Sequence, residues 1–328
     1  MSQIRRSMLM FGAGTLFGAR WLHARAQAPQ IGKVGFLFTP SRATSQVPAL
    51  FLSAMREVGW VEGRNLTMEW RFADGNPDRL AELATQLVQQ RVQVIVAPTN
   101  LEAEAALRAT QSIPIVVLFA IDPVEAKFAK SIARPGGNVT GVLFSDPEFA
   151  AKSMQLIKDV VPTIRRIGYV YPAGLGGGTP FIEAMEAAAR ALGLVLYRYS
   201  VASPAEMSTV LDAIKRDGVE ALRVVYIGAV QAGTAQLLEF AASNRIATLF
   251  TVSSAVERGG LMSLAPKLTD SVGRGAAFVD RLLKRALPAD LPFEYPTRYE
   301  LVINLKTATR LAISLPHSIL LRADRVIE

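Results

Sequence analysis

The chain is 328 residues long and half hydrophobic, enough to bury sizeable cores, so a low-complexity disordered protein is excluded. It has no cysteine, which excludes disulfides, thiolate metal ligands, a cysteine nucleophile and an N-terminal lipid-bearing cysteine. The formal net charge is +8, but Arg5, Arg6, Arg20 and Arg25 supply four of it; eight less four leaves +4 beyond Ala26, with no basic run interleaved with aromatics, so no nucleic-acid partner is expected.

Those four arginines lie in a segment expected to be removed. Arg5-Arg6 precede an apolar run over residues 8–17, too short to span a bilayer as a stable helix. Ala24-Arg25-Ala26 and Ala26-Gln27-Ala28 both carry the small-x-small pattern of a cleavage site, and Pro29 favours the cut after Ala26. Residues 1–26 therefore read as a secretory signal peptide, either of the twin-arginine type or an ordinary Sec signal. The rest is expected to be a soluble protein of the periplasm.

From Ile31 short apolar runs alternate with amphipathic ones. Residues 33–38 read as a strand, closed by Thr39-Pro40-Ser41. Pro48 opens a helix to Val58 with apolar residues at helical spacing, and Gly59 ends it. Residues 65–72 alternate as a strand, 77–90 read as a helix, and 92–96 as the next strand. Thr99 and Glu102 have capping-box spacing, so a helix is expected from there to Ala109. Residues 115–119 form a β-branched apolar run after Pro114, a buried strand. Asp122-Pro123 breaks that run. A short helix over 124–133 is expected next, then a tight turn at Pro135-Gly136-Gly137-Asn138 and a strand over 139–143 that leaves the sheet.

The second half repeats the order. Strands are expected at 167–171, 194–199, 221–227 and 248–252. The helices between them are expected at 180–191, capped by Thr179, then at 204–216 and 230–243. After that the order breaks: a short strand near Gly259-Gly260-Leu261-Met262, a helix over 271–285, a proline-rich extended stretch over 288–296, a strand at 301–303 and a helix over 305–312. Two runs of βαβαβαβ imply an α/β protein with two doubly wound parallel-sheet lobes, helices on both faces of each.

Several stretches together resemble one family, the ABC-transporter substrate-binding proteins of the type I periplasmic-binding fold. They are Asp122-Pro123-Val124 followed by ARPGGNVTG over 133–141, GWVEGRNLTMEWR over 59–71, GGLMS over 259–263, PADLP over 288–292, PTRYELVINLKTA over 296–308, and the terminal RADRVIE. The likeness runs in order over nearly all of the chain beyond the signal peptide. It implies a hinge of three crossings, here near 140–143, 261–264 and 293–299. Lobe one would then be residues 27–142 with 263–294, and lobe two 143–262 with 295–328. It also implies a monomeric binding protein that is no enzyme, uses no cofactor or metal, and delivers a small solute to an ABC permease in the inner membrane. A link of some members to amino acids makes an amino acid or related small carboxylate the expected solute.

In open α/β sheets ligands sit beyond the carboxyl ends of the strands. Lobe one there offers Thr39, Ser41, Thr99, Asn100 and Asp122; lobe two offers Tyr171, Gly174, Tyr226, Gly228, Ser253 and Ser254. The helix starts at Thr99 and Thr179 offer free N–H groups to a carboxylate, Asp122 offers a partner for an amine, and Tyr171 and Tyr226 offer rings to stack on a flat ligand. Each has a plain structural alternative: Thr99 as a helix cap, Asp122-Pro123 as a turn, the tyrosines as core. The glycine-rich stretch 174–178 lacks the sixth-position glycine of a dinucleotide loop and any following Lys-Ser/Thr, so it reads as a cleft loop. Beyond the signal peptide the sole histidine is His317, which argues against a histidine-dependent triad or metal site. A two-lobed α/β enzyme and a ligand sensor for a signalling receptor remain the alternatives. Lys127-Phe128, Leu264 and Ala265 depart from the family's usual residues, and these positions bear on which ligand is taken.

Overall fold

The structure is a computed structural model that describes residues 31–144, 146–173 and 180–328. The expected signal peptide, Gly174 and the cap Thr179 lie outside the described residues.

Lobe one begins β1 (Gly32–Phe38), α1 (Val47–Glu57), β2 (Leu66–Phe72), α2 (Leu80–Gln89), β3 (Val94–Ala97), α3 (Asn100–Ala109), β4 (Ile115–Ala120) and β5 (Val139–Leu143). Its five strands run β2-β1-β3-β4-β5, all parallel. Every residue of β3 and β5 is buried, which is why Val94–Ala97 reads as an unbroken apolar run rather than an alternating one.

Lobe two continues with α4 (Pro147–Val160), β6 (Arg166–Pro172), α5 (Pro180–Ala191), β7 (Val195–Val201), α6 (Met207–Arg216), β8 (Ala221–Val224), α7 (Gly228–Ala232), α8 (Thr234–Ser243), β9 (Ala247–Phe250), α9 (Ser253–Glu257) and β10 (Met262–Pro266). The chain then returns to lobe one as α10 (Leu268–Leu283) and ends in lobe two with β11 (Tyr299–Asn304), α11 (Leu305–Leu311), α12 (His317–Leu320) and β12 (Arg325–Ile327). The seven-stranded sheet runs β12-β11-β10-β9-β8-β6-β7, with β10 and β11 antiparallel and the other neighbours parallel.

Four sequence expectations are corrected. The helix over 124–133 is absent. Phe128 N–H and Ala129 N–H both close onto Pro123 O, but Lys127 takes a left-handed φ of 58°, so one turn forms and no more. Residues 263–266, placed in lobe one from the sequence, are in β10 of the seven-stranded sheet, because Met262 to Pro266 pair in register with Ile303 to Tyr299. The second crossing therefore falls at Lys267 rather than at 261–264. The helix over 230–243 is two helices, broken at Gly233, where the built position of a Cβ lies 2.8 Å from the Met207 side chain. Strand β8 stops at Val224, short of Ile227. Helices α4, α9 and α12 and strand β12 were not foreseen. For α4 the signal was present: Asp146 caps it through Phe149 N–H at 2.7 Å, with Pro147 at the first helical position.

The crossings lie side by side. Leu143 N–H donates to Glu294 O at 2.8 Å, Glu294 N–H donates to Gly141 O at 3.0 Å, and Tyr299 Oη donates to Asp146 at 2.7 Å. The first and third crossings thus form one bonded ribbon where the lobes meet.

Candidate functional site

A cavity of ≈ 100 Å³ opens at that ribbon, several times the space one ordered water needs. Lobe one supplies Ala120, Ile121, Asp122 and Pro123 from the end of β4, together with Ile132, Leu143 and Phe144. Lobe two supplies Tyr169 from β6, Phe181 and Ile182 from α5, Arg223 and Val225 from β8, and Thr251 after β9. Asp146 and Tyr295, on the crossings, complete the wall. The carboxyl ends of the central strands of both sheets converge here, where sheets of this kind place ligands.

Arg223 dominates the chemistry. It sits inside an apolar strand, and the parallel register sets it beside Tyr169 on β6 and Leu249 on β9. Its side chain is 1 % exposed, and Nε and Nη1 have no hydrogen-bond partner. The Phe149 ring faces it, its centroid 5.5 Å from the guanidinium carbon. Burial lowers its pKa to about 10, with Tyr169 opposing the shift, so it remains cationic at neutral pH. Burial pushes the Tyr169 hydroxyl up to about 12, against the pull of Arg223.

The opposite wall is acidic. Asp122 holds a left-handed φ of 36° and accepts Glu125 N–H at 3.0 Å on one carboxylate oxygen. Asp146 accepts from Phe149 N–H and from Tyr299 Oη, and the Tyr299 ring stacks on Phe149 at 4.4 Å between centroids. Tyr295 has its pKa raised, chiefly by burial and then by the charges of Asp146 and Asp122. The site is therefore bipolar, with a buried cation on lobe two, carboxylates on lobe one and the ribbon, and aromatic and aliphatic walls between.

Of the residues predicted from the sequence, Asp122 lines this cavity. Thr39, Ser41, Thr99, Asn100, Tyr171, Tyr226, Gly228, Ser253 and Ser254 are not in its wall. Thr39 and Thr99 are bound to Glu102, which is 1 % exposed and accepts from both backbone N–H groups and both hydroxyls. The start of α3 thus already holds a carboxylate, the chain's own. Asn100 clamps the backbone of Ile121, donating to its O at 2.6 Å and accepting from its N–H at 2.9 Å, and so braces the residue before Asp122. Ser41 precedes a single 3-10 turn, Gly228 begins α7 with φ 55°, and Ser253 and Ser254 begin α9. Tyr171 stacks on Tyr169 at 4.9 Å, while Tyr226 is 4 % exposed on the far side of its sheet against Phe250. Leu264 and Ala265 pair with Leu301 and Glu300 inside the sheet, and Lys127 is exposed; none of the three lines the cavity. Arg223 was not singled out from the sequence, although a lone arginine in the run Ala221-Leu222-Arg223-Val224-Val225 is a visible signal of a buried charge.

Comparison with known proteins agrees with this architecture. A crystallised conserved domain protein from Vibrio cholerae superposes with a TM-score of 0.80 at 26% identity, covering 90% of this chain and all of that one. An ABC domain from Streptococcus pneumonia, solved in complex with L-Trp, superposes with a TM-score of 0.80 at 25% identity, covering 91% of this chain and all of that one. A tyrosine-binding protein of Clostridioides difficile (strain R20291) is 33% identical over 121 residues, 37% of this chain; the match spans 34% of that relative's length. The profile described as "ABC transporter substrate binding protein" matches residues 28–327. The chain belongs to the ABC transporter substrate-binding protein family.

Proposed function

We propose that this chain is the exported, periplasmic solute-binding component of an ABC importer, that it binds one small solute in the cavity between its lobes, and that it presents the closed form to an inner-membrane permease as a monomer. The observation that carries the reading is the position of the cavity. It is walled by strand ends from both sheets and by the crossing ribbon, so rotation about the ribbon closes both walls on a ligand. In that role the protein performs no turnover. The ligands named for its relatives, tyrosine and L-Trp, make amino acids and related small carboxylates the first solutes to examine.

Native mass spectrometry of the purified protein, followed by a thermal-shift screen of amino acids, small carboxylates, sugars and nucleosides, tests this. A solute that binds the folded state alone stabilises it by RT ln(1 + [L]/Kd), about 2.7 kcal/mol at a hundredfold excess. A shift with one class of solute, with the solute recovered intact, is expected. No shift with any class, or conversion of the solute, overturns the reading.

A further inference from the structure

We propose that Arg223 is the anchor for a ligand carboxylate, and that the solute taken by the cleft is a carboxylate borne on an apolar, ring-sized body. The inference rests on the cavity being the solute site. A guanidinium is a planar fork of donors that matches a carboxylate in two parallel hydrogen bonds. Here that fork is buried and lines the cavity, and Nε and Nη1 have no acceptor. No ion pair involving Arg223 forms among the described residues, although Asp122 and Asp146 share the cavity. A buried cation without an acceptor is a cost to the ligand-free fold, and an entering carboxylate offsets it.

The remaining walls describe the rest of the ligand. Phe144, Phe181, Ile132 and Val225 offer apolar surface, and the Tyr169 ring stands beside the guanidinium. Such a lining suits a flat or bulky hydrocarbon body and disfavours a sugar, whose hydroxyls would be left unpaired. Two sources share this chemistry: an amino acid with an apolar side chain, and a simple aromatic acid. Asp122 separates them. Its carboxylate spends one oxygen on Glu125 N–H and has the other to offer an ammonium group.

Isothermal titration calorimetry of the purified protein tests the proposal with L-tryptophan, L-tyrosine, benzoate and 3-phenylpropanoate as carboxylates, and tryptamine and tyramine as the same rings without one. At least one carboxylate is expected to bind, and its carboxylate-free counterpart to bind about 100-fold more weakly or not at all. Arg223→Met is expected to lose the same factor while keeping its far-UV circular dichroism and a cooperative melt; Arg223→Lys, which restores the charge without the fork, recovers part of it. Asp122→Asn should weaken an amino acid and leave benzoate and 3-phenylpropanoate unchanged, which identifies the source. Tryptamine or tyramine binding as tightly as its parent, or full affinity in a folded Arg223→Met protein, overturns the proposal. Binding confined to sugars or nucleosides overturns it while leaving the solute-binding reading intact; binding of nothing in any class removes that reading as well.

Discussion

Glu102 and Arg223 are each 1 % exposed, yet their circumstances are opposite. Glu102 accepts four hydrogen bonds, from the backbone and hydroxyl groups of Thr39 and Thr99. Glu102→Gln turns one carboxylate oxygen into a donor facing donors, and is expected to cost about 3 kcal/mol. Arg223 gains little beyond the Phe149 ring face. Burial holds its folded pKa at about 10, below the ordinary arginine value, so folding disfavours its charge. Below about pH 10 the group is charged in both states and the penalty is complete, and it is relieved as pH rises above 10 towards the ordinary arginine value. At pH 7 Arg223→Met should therefore stabilise the ligand-free protein by on the order of 2 kcal/mol, once the lost ring contact is set against the penalty. Urea melts of both variants at pH 7 should move in opposite directions; a destabilised Arg223→Met protein would contradict this account. At this scale the strand ends were legible in the sequence, but the face each side chain takes was not. Side chains alternate along a strand, so Arg223 and Val225 point to the cavity while Tyr226 points to the opposite core. Tyr226 was singled out from the sequence by residue type, without regard to this alternation, which sets it on the other face of the sheet from the cavity.

The segment after β4 shows how a motif becomes an element. Asn138 donates its side-chain amide to Thr110 O and Ile113 O, which ties the turn to the end of α3. Gly141 has φ 148°, and the built position of a Cβ there lies 2.0 Å from Val117 O and 2.7 Å from Val117 N. Those are backbone atoms of the neighbouring strand, held by the β4–β5 ladder where its register shifts between Val117 and Ala120. Gly141→Ala is accordingly expected to cost about 3 kcal/mol or more, or to give no soluble protein. Gly137→Ala, four residues earlier, meets nothing nearer than Phe128 O at 3.7 Å and should change stability by less than about 1 kcal/mol. Thermal melts of the two variants separate a true backbone constraint from a general intolerance of the turn; equal effects would show the clash to be relieved. Most strands and the longer helices were legible because their periodicity or apolar runs are strong. The helix expected over 124–133 was not real, since its composition suits a helix and nothing local announces the left-handed Lys127. Helix α9 is only five residues long, too short to show a period.

The chain does not complete one lobe before starting the other. Helix α10 reaches lobe one only after the whole of β6 to β10 has been laid down in lobe two. Its buried stripe, Val272, Phe278, Val279, Leu282 and Leu283 with Gly275 and Ala276 between, lies against α1 and strands β3, β4 and β5, and Trp60 Nε1 donates to Asp280 at 2.8 Å across the contact. Glu294 on the returning strand is bound by Arg274 at 2.9 Å and Arg281 at 3.0 Å, which ties the third crossing to the same helix. The family resemblance implied three crossings and put the second at 261–264, whereas Met262–Pro266 pairs with β11 across the sheet, with nothing in its own neighbourhood to say so. Burying those five large side chains contributes roughly 7–15 kcal/mol as an upper estimate, comparable with the entire stability of an ordinary domain. Residues 31–143 alone, which contain every strand of the first sheet, should therefore lack a cooperative melt and expose the face that α10 covers. The same segment joined by a flexible glycine–serine linker to residues 268–294 should regain one, because the missing layer is restored without any part of lobe two. A cooperative transition in the first fragment, followed by circular dichroism at 222 nm, would mean that the five strands and three helices hold together without α10, and that the lobes are independent units rather than interlaced ones.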